Sequence, residues 1–295
     1  MRASRAPRNH RATRVTWRPL AVVGSAALLA LTAQAPAFGA TAPPTPRTET
    51  AAAGPASGSG AASTGPYDDD YYKDALGKTG PELKTALHGI IKDADKLSYS
   101  QVWDALKVTD QDPANSSNVI LLYTGRSQSA DENGGGADQW NREHVWAKSH
   151  GDFGTGAGPG TDIHHLRPAD VSVNSTRGNK DFDEGGDEVE EAPGNFTDGD
   201  SWEPRDEVKG DVARMALYMA VRYEGDDSFA DLEPNDKVDN GSAPHIGRLS
   251  VMKKWNEEDP PNDFEKNRNQ VIFDKFQHNR NPFIDHPEWV DEIWS

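Results

Sequence analysis

The 295-residue chain contains no cysteine, which excludes disulfides, thiolate metal sites and thiol redox chemistry and leaves the fold to its own core and ion pairs. It also lacks a membrane span: the apolar run from Leu20 to Leu31 falls short of the roughly 20 residues that a transmembrane helix needs. Positive charge is scarce, with 31 Lys and Arg against 48 Asp and Glu and a formal net charge of −17. Taken alone, that balance repels a polyphosphate at long range and argues against nucleic acid as a partner.

What is present begins with a targeting pattern. The first 18 residues hold six arginines and no acid, the apolar run follows, and Ala35, Ala37 and Gly39 offer small residues for cleavage. Residues 1–39 therefore read as a secretory signal peptide, and the mature protein as secreted, extracellular and free of the membrane. Their removal takes away six positive charges and leaves −23. Residues 40–66 are built from Ala, Pro, Gly, Ser and Thr without apolar periodicity, the composition of a disordered pro-segment or linker. Residues 67–295 are enough for one catalytic domain.

The densest chemistry lies between 141 and 179, where NREHVWAKSH is followed by a glycine-rich loop and DIHHLRPADVSVNSTRGN. Carboxylate and amide oxygens suit a hard cation such as Mg²⁺, and a neutral imidazole takes a proton from water near neutral pH. Together they point to metal-assisted hydrolysis. The acids concentrate elsewhere, in DFDEGGDEVEEAP and EGDDSFADLEPNDKVD, while Arg126, Lys148, Arg167, Arg177 and Lys180 fall near the motif. A local basic cleft on an acidic body can still hold a phosphodiester.

The pattern of elements is helical at both ends. Leu83, Leu87, Ile90 and Ile91 share a helical face after Thr79, and 98–108 forms a second short helix behind Ser98 or Ser100. NVILLYTG (118–125) reads as a buried strand, as do ADQWNREHVW and TDIHHL on either side of the loop SHGDFGTGAGPG. A helix is expected from Pro168 through ADVSVNSTRGN. Three further helices follow, over 206–225, IGRLSVMKKWNEE and FEKNRNQVIFDKFQ, the first with Val208, Val212, Met215, Ala216, Met219 and Tyr223 on one stripe. The fold class is α+β, a small sheet surrounded by helices.

The order of NREHVWAKSH, DIHHLRPADVSVNSTRGN, DEVKGDVARMALYMAVRYEGDD and NRNPFIDHPEWV resembles the endonuclease I family of secreted bacterial nucleases, within the His-Me finger (ββα-metal) superfamily. The resemblance runs from about Tyr67 to Ser295. It implies a ββα-metal core with a small antiparallel sheet, with His144 as the general base that activates water and Glu143 as a metal ligand. The family's second ligand, in the pattern Val-Asn-x-x-Arg-x-Asn, falls on Asn174, with Asn179 as a supporting residue. His164 matches a supporting histidine, and His165 stands where the family has asparagine. His164 and His165 alone do not make a zinc site, since no cysteine and no third spaced histidine completes one. Some members place a phosphate-binding arginine in the loop between the strands. This loop has none, and Arg126, Arg167, Arg177 and Lys180 are the candidates to replace it. Some members also carry disulfides, from which this chain departs.

The function implied is a secreted, low-specificity endonuclease that depends on Mg²⁺, with Mn²⁺ or Ca²⁺ as alternatives. It would leave 5′-phosphate ends on DNA, with RNA as a second substrate and no obligate protein partner. The competing reading is a secreted acidic Ca²⁺-binding module with a degenerate nuclease fold, for which DFDEGGDEVEE and FTDGDSWEPRDE offer acidic ribbons without EF-hand spacing.

Overall fold

Helix starts and apolar stripes in the sequence become the outer elements of an α+β fold. The computed structural model describes residues 67, 68 and 70–295; the expected signal peptide (1–39) and linker (40–66) lie outside the described residues. Gly80–Ile91 forms α1, with Pro81 in the first turn where its missing N–H costs nothing. Leu83, Leu87 and Ile91 form its buried face. Gln101–Thr109 forms α2, and Gln111–Asp112 (β1), Asn115–Ile120 (β2) and Ser127–Ser129 (β3) make an antiparallel three-stranded sheet in that order. The strand expected over 118–125 thus ends at Ile120. The chain must turn there to bring β3 back, and Gly125, at φ +66°, closes the turn with its N–H on the Leu121 carbonyl.

Trp140–His144 (β4) and Leu166–Asp170 (β5) form a two-stranded antiparallel ribbon, and Val171–Arg177 (α3) follows directly. Two expectations are corrected here. TDIHHL is not a strand: Thr161 closes a 3₁₀ turn, and the buried Asp162 carboxylate turns the backbone by accepting from the His164 N–H at 3.0 Å. Pro168 does not open the helix but sits inside β5, opposite Arg142. A ribbon tolerates it because β5 pairs with only one strand, and the Pro168 carbonyl on the other edge accepts from Leu122 N–H at 2.9 Å.

The acidic segment also has structure that the sequence did not announce. Asp181–Phe182 (β6), Asp187–Glu188 (β7), Phe196–Thr197 (β8) and Ser201–Glu203 (β9) form a mixed sheet in the order β6-β9-β8-β7. Three of its acids find cations within the chain: Asp183 pairs with Arg248, Glu184 with Lys254, and Glu203 with Lys209.

Lys209–Arg222 (α4) is shorter than the expected 206–225, because Asp206–Val208 is a 3₁₀ turn. Its residues from Gly210 to Arg222 are all buried, so α4 is a central helix rather than an amphipathic one. Glu233–Pro234 (β10) and His245–Ile246 (β11) pair in parallel. Leu249–Glu258 (α5), Asp263–Lys275 (α6), Pro282–Asp285 (α7) and Trp289–Ile293 (α8) complete the chain. Val212, Met215, Ala216 and Met219 of α4 share one apolar core with Leu83, Met252, Trp255 and Phe283, while Val102, Leu106, Trp140, Leu166 and Ile272 form a second.

Buried ion pairs do the work that disulfides cannot. Asp110, fully buried after α2, accepts from Arg167 of β5 and, at 3.2 Å, from Arg268 of α6. Arg167 also reaches Asp211 of α4 at 3.2 Å, and Arg214 holds Glu265 through two bonds of 2.8 and 2.6 Å. Removing one member leaves the others charged and unpaired in the interior, which typically costs about 3–5 kcal/mol. Asp110→Ala should therefore lower the unfolding free energy by about that amount in urea titrations. A loss below about 1 kcal/mol would show that the network is incidental to stability.

Candidate active site

The ribbon register sets the site. Glu143 lies opposite Arg167 and His144 opposite Leu166. Neighbouring side chains on a strand point to opposite faces, and here β4 stops at His144, so the pleat no longer holds the two apart. Glu143 and His144 line one cleft of about 430 Å³ together with Asn174, Arg177 and Asn179 from α3 and the turn after it.

His144 is 6 % exposed, and its Nε2 lies 3.1 Å from the Gly160 carbonyl. A carbonyl only accepts, so Nε2 carries the proton and Nδ1 is the basic nitrogen. Burial, reinforced by the neighbouring His165, holds the imidazole well below its ordinary pKa and keeps it neutral. The ring packs 5.6 Å from His165, whose Nε2–H donates to the Pro159 carbonyl at 2.7 Å and whose Nδ1 accepts from Trp146 N–H. His144 thus sits beside a second imidazole with both nitrogens engaged.

Glu143 is 2 % exposed, and its Oε1 accepts from the Tyr123 hydroxyl at 2.7 Å and pairs with Arg177 Nη1 at 3.3 Å. Burial raises the carboxyl pKa, while Arg177 and Tyr123 oppose the rise. A divalent cation beside Glu143 would act in the same direction as Arg177. Asn174 donates its side-chain N–H to the Asn141 Oδ1 at 2.7 Å, so its own Oδ1 is the atom left to face a hard ion. One carboxylate and one amide oxygen on an open cleft match the sparse ligation that Mg²⁺ favours, with water and phosphate supplying the remaining positions.

Of the four basic residues expected to hold phosphate, the structure brings only Arg177 to the cleft. Arg167 is buried among Asp110 and Asp211, and Arg126 is paired with Asp170 away from the cleft. Lys180 donates to Thr197 Oγ1 at 2.7 Å, which turns it toward β8. His164 lies behind the site, hydrogen-bonded to Asn279 and 4.5 Å from the Tyr218 ring. Exposed Lys148, one of the basic residues noted near the motif, lines the cleft, and so do Arg142, Tyr99 and Trp103, for which sequence reasoning named no role. Arg142 and Lys148 were visible inside NREHVWAKSH; Tyr99 and Trp103, about 40 residues upstream, carried no signal.

The Endonuclease I family model matches residues 79–288. A Bacillus amyloliquefaciens protein named extracellular ribonuclease is 70% identical over 226 residues, covering 77% of this chain and 78% of that protein. A Bacillus subtilis (strain 168) protein of the same name is 67% identical over 236 residues, covering 79% and 82%.

The buried histidines predict acid sensitivity. Burial brings His164 and His165 down to about 4, whereas in the unfolded chain they titrate near about 6.5. Between these values the unfolded state binds the extra protons. Stability is therefore complete above about pH 6.5 and falls on acidification by roughly 1.4 kcal/mol per pH unit for each histidine. His165→Asn should flatten the stability profile between about pH 6 and 4.5 by one histidine's share, measured by urea unfolding at each pH. An unchanged slope would mean that His165 is protonated in the fold.

Proposed function

Because this chain belongs to the endonuclease I family and is a nuclease, we propose that it is a secreted, divalent-metal-dependent endonuclease of low sequence specificity that hydrolyses RNA and also DNA to 5′-phosphate ends. The observation that carries this reading is the convergence of Glu143, His144 and Asn174 on one cleft. RNA takes first place because both relatives bear the name extracellular ribonuclease. Secretion rests on the same word in their names and on the arginine-rich, apolar start of the chain. Among the described residues no helix is long and apolar enough to cross a membrane.

In this mechanism His144 Nδ1 removes a proton from water, and the resulting hydroxide attacks phosphorus in line with the departing 3′ oxygen. The Nε2–H bond to Gly160 fixes the ring while Nδ1 gains its proton. Glu143 and Asn174 would hold the ion, Mg²⁺ first and Mn²⁺ or Ca²⁺ as alternatives. When bound, a divalent cation polarises the phosphate and stabilises charge on the leaving oxygen. Lys148 and Arg142 supply further positive charge to the phosphates. Contacts to phosphate carry no base information, consistent with low specificity. Water as the nucleophile makes the substrate's 2′-hydroxyl unnecessary, which is why DNA belongs to the substrate range.

The competing Ca²⁺-module reading has little support, because among the described residues no three acids of the two acidic ribbons converge on one point, and Asp183, Glu184 and Glu203 already pair with Arg248, Lys254 and Lys209. His144→Ala should lower kcat on RNA by about 10²–10⁴-fold while Mg²⁺ binding persists, and EDTA should stop the wild type. Both RNA and DNA digests should carry 5′-phosphates. A 2′,3′-cyclic phosphate product, with DNA left intact, would replace this mechanism with attack by the 2′-hydroxyl.

The salt dependence follows from the small number of cations in the cleft. With Arg142 and Lys148 as the contacts, single-strand binding by His144→Ala should fall with a log-log salt slope of roughly −1.4, at about −0.7 per phosphate. A slope near about −8 would place the nucleic acid on another surface.

A further inference from the structure

Part of the cleft wall takes no part in the proton transfer or in ligating the metal. Tyr99 and Trp103 line the cleft with Arg142, and all three remain partly exposed. The Arg142 guanidinium carbon lies 3.4 Å from the Tyr99 ring centroid and 4.0 Å from that of Trp103. Its Nη1 also donates to the Tyr99 carbonyl. The Tyr99 ring is 6.0 Å from the His144 imidazole, tilted by 32°, so this wall begins where the water would be activated. Trp103 is braced edge-on against the buried Trp140, centroids 5.3 Å apart. The turn that carries Tyr99 is also fixed, since Gln101 Oε1 accepts from both Ser98 N–H and Ser98 Oγ at 2.8 Å. The result is a preorganised wall beside His144, in which the Arg142 guanidinium packs on both aromatic rings and holds them in place.

Such planes are surfaces on which unpaired bases stack, with little dependence on base identity. In an intact duplex the bases are stacked on one another and their faces are closed. Stacking also suits this protein, because it survives salt and needs no long-range attraction from a body that carries excess negative charge. The geometry points to a nucleobase subsite: the exposed part of the Tyr99 ring, backed by Arg142 and Trp103, receives the unstacked base adjoining the scissile phosphate and thereby selects single-stranded or frayed nucleic acid over intact duplex. This rests on the nuclease reading above and deepens it by naming the strand state of the substrate.

The test uses the secreted protein and end-labelled single-stranded oligomers, in ribo and deoxyribo form, in which one central residue is abasic. Cutting at each linkage flanking that residue is compared with the same linkage in the intact oligomer. In the wild type, one flanking linkage should be cut about tenfold more slowly when the base is missing, the size expected for one base stacked on an aromatic ring. Tyr99→Leu should slow the intact oligomer to the abasic rate and leave the abasic rate unchanged. Tyr99→Phe should behave as wild type, and the preference for single strand over duplex should shrink in Tyr99→Leu. Equal cutting of intact and abasic linkages by the wild type would overturn the proposal. So would a Tyr99→Leu variant slowed equally on both, because that is the signature of a strut that only supports His144. The metal requirement and the 5′-phosphate ends are read from the same digests and stand or fall separately from the base ratio.

Discussion

The candidate active-site cleft depends on where β4 stops, and Arg177 holds that stop in place. Its guanidinium, 1 % exposed, donates to the carbonyls of His144 at 3.1 Å and Val145 at 2.7 Å, and pairs with Glu143 at 3.3 Å. One side chain from the last turn of α3 thus satisfies the backbone at the strand end and orients the carboxylate beside it. Because Arg177 and Asn174 lie on the same short helix, the clamp also fixes the distance between the two candidate ligands. A rigid fork with several donors can do this; a lysine, as a point charge, cannot satisfy three acceptors in one plane.

The same use of buried guanidinium runs through the molecule and reconciles an acidic protein with a polyanionic substrate. Arg167, Arg214 and Arg268 are consumed inside, neutralised by Asp110, Asp211 and Glu265, where they hold strands to helices in a chain without cysteine. Lys209 of α4 and Lys254 of α5 are likewise occupied by Glu203 and Glu184 of the acidic segment. Positive charge available to a ligand is left in the cleft, at Arg142 and Lys148, while the excess acid lies elsewhere. Net charge therefore describes the body of this protein and not its site, and the distinction comes from which cations already have partners.

Much of the site was legible because its residues are contiguous in sequence and its strand and helix are short. Glu143, His144 and Asn174 could be read from NREHVW and VSVNSTRGN, and the structure puts them on one cleft. Arg167 could not be placed, because closeness to a motif says nothing about which face of a strand a residue takes. All five residues of β5 are buried, so alternation gave no warning. TDIHHL looked extended, but the turn depends on Asp162 meeting Tyr218 and Tyr223, more than 50 residues away. In α4 the sequence marked a single apolar stripe, yet Asp211, Arg214 and Arg222 are buried as well, with Asp211 and Arg214 paired to partners from distant elements. Both failures have one cause, which is that a buried polar group with a remote partner looks, in sequence, like a surface residue.

The central claim is that the buried carboxylate of Glu143 and the amide oxygen of Asn174 hold the ion beside His144. The described residues offer a rival, the cluster of Glu224, Asp231 and Glu233, although Lys84 already pairs with Glu224 and Glu233 there. Anomalous diffraction from crystals soaked in Mn²⁺ decides between them. The account requires a peak within about 2.0–2.4 Å of Glu143 and Asn174 oxygens, with the remaining positions filled by water. A peak held by Glu224, Asp231 and Glu233, with none in the His144 cleft, would contradict it.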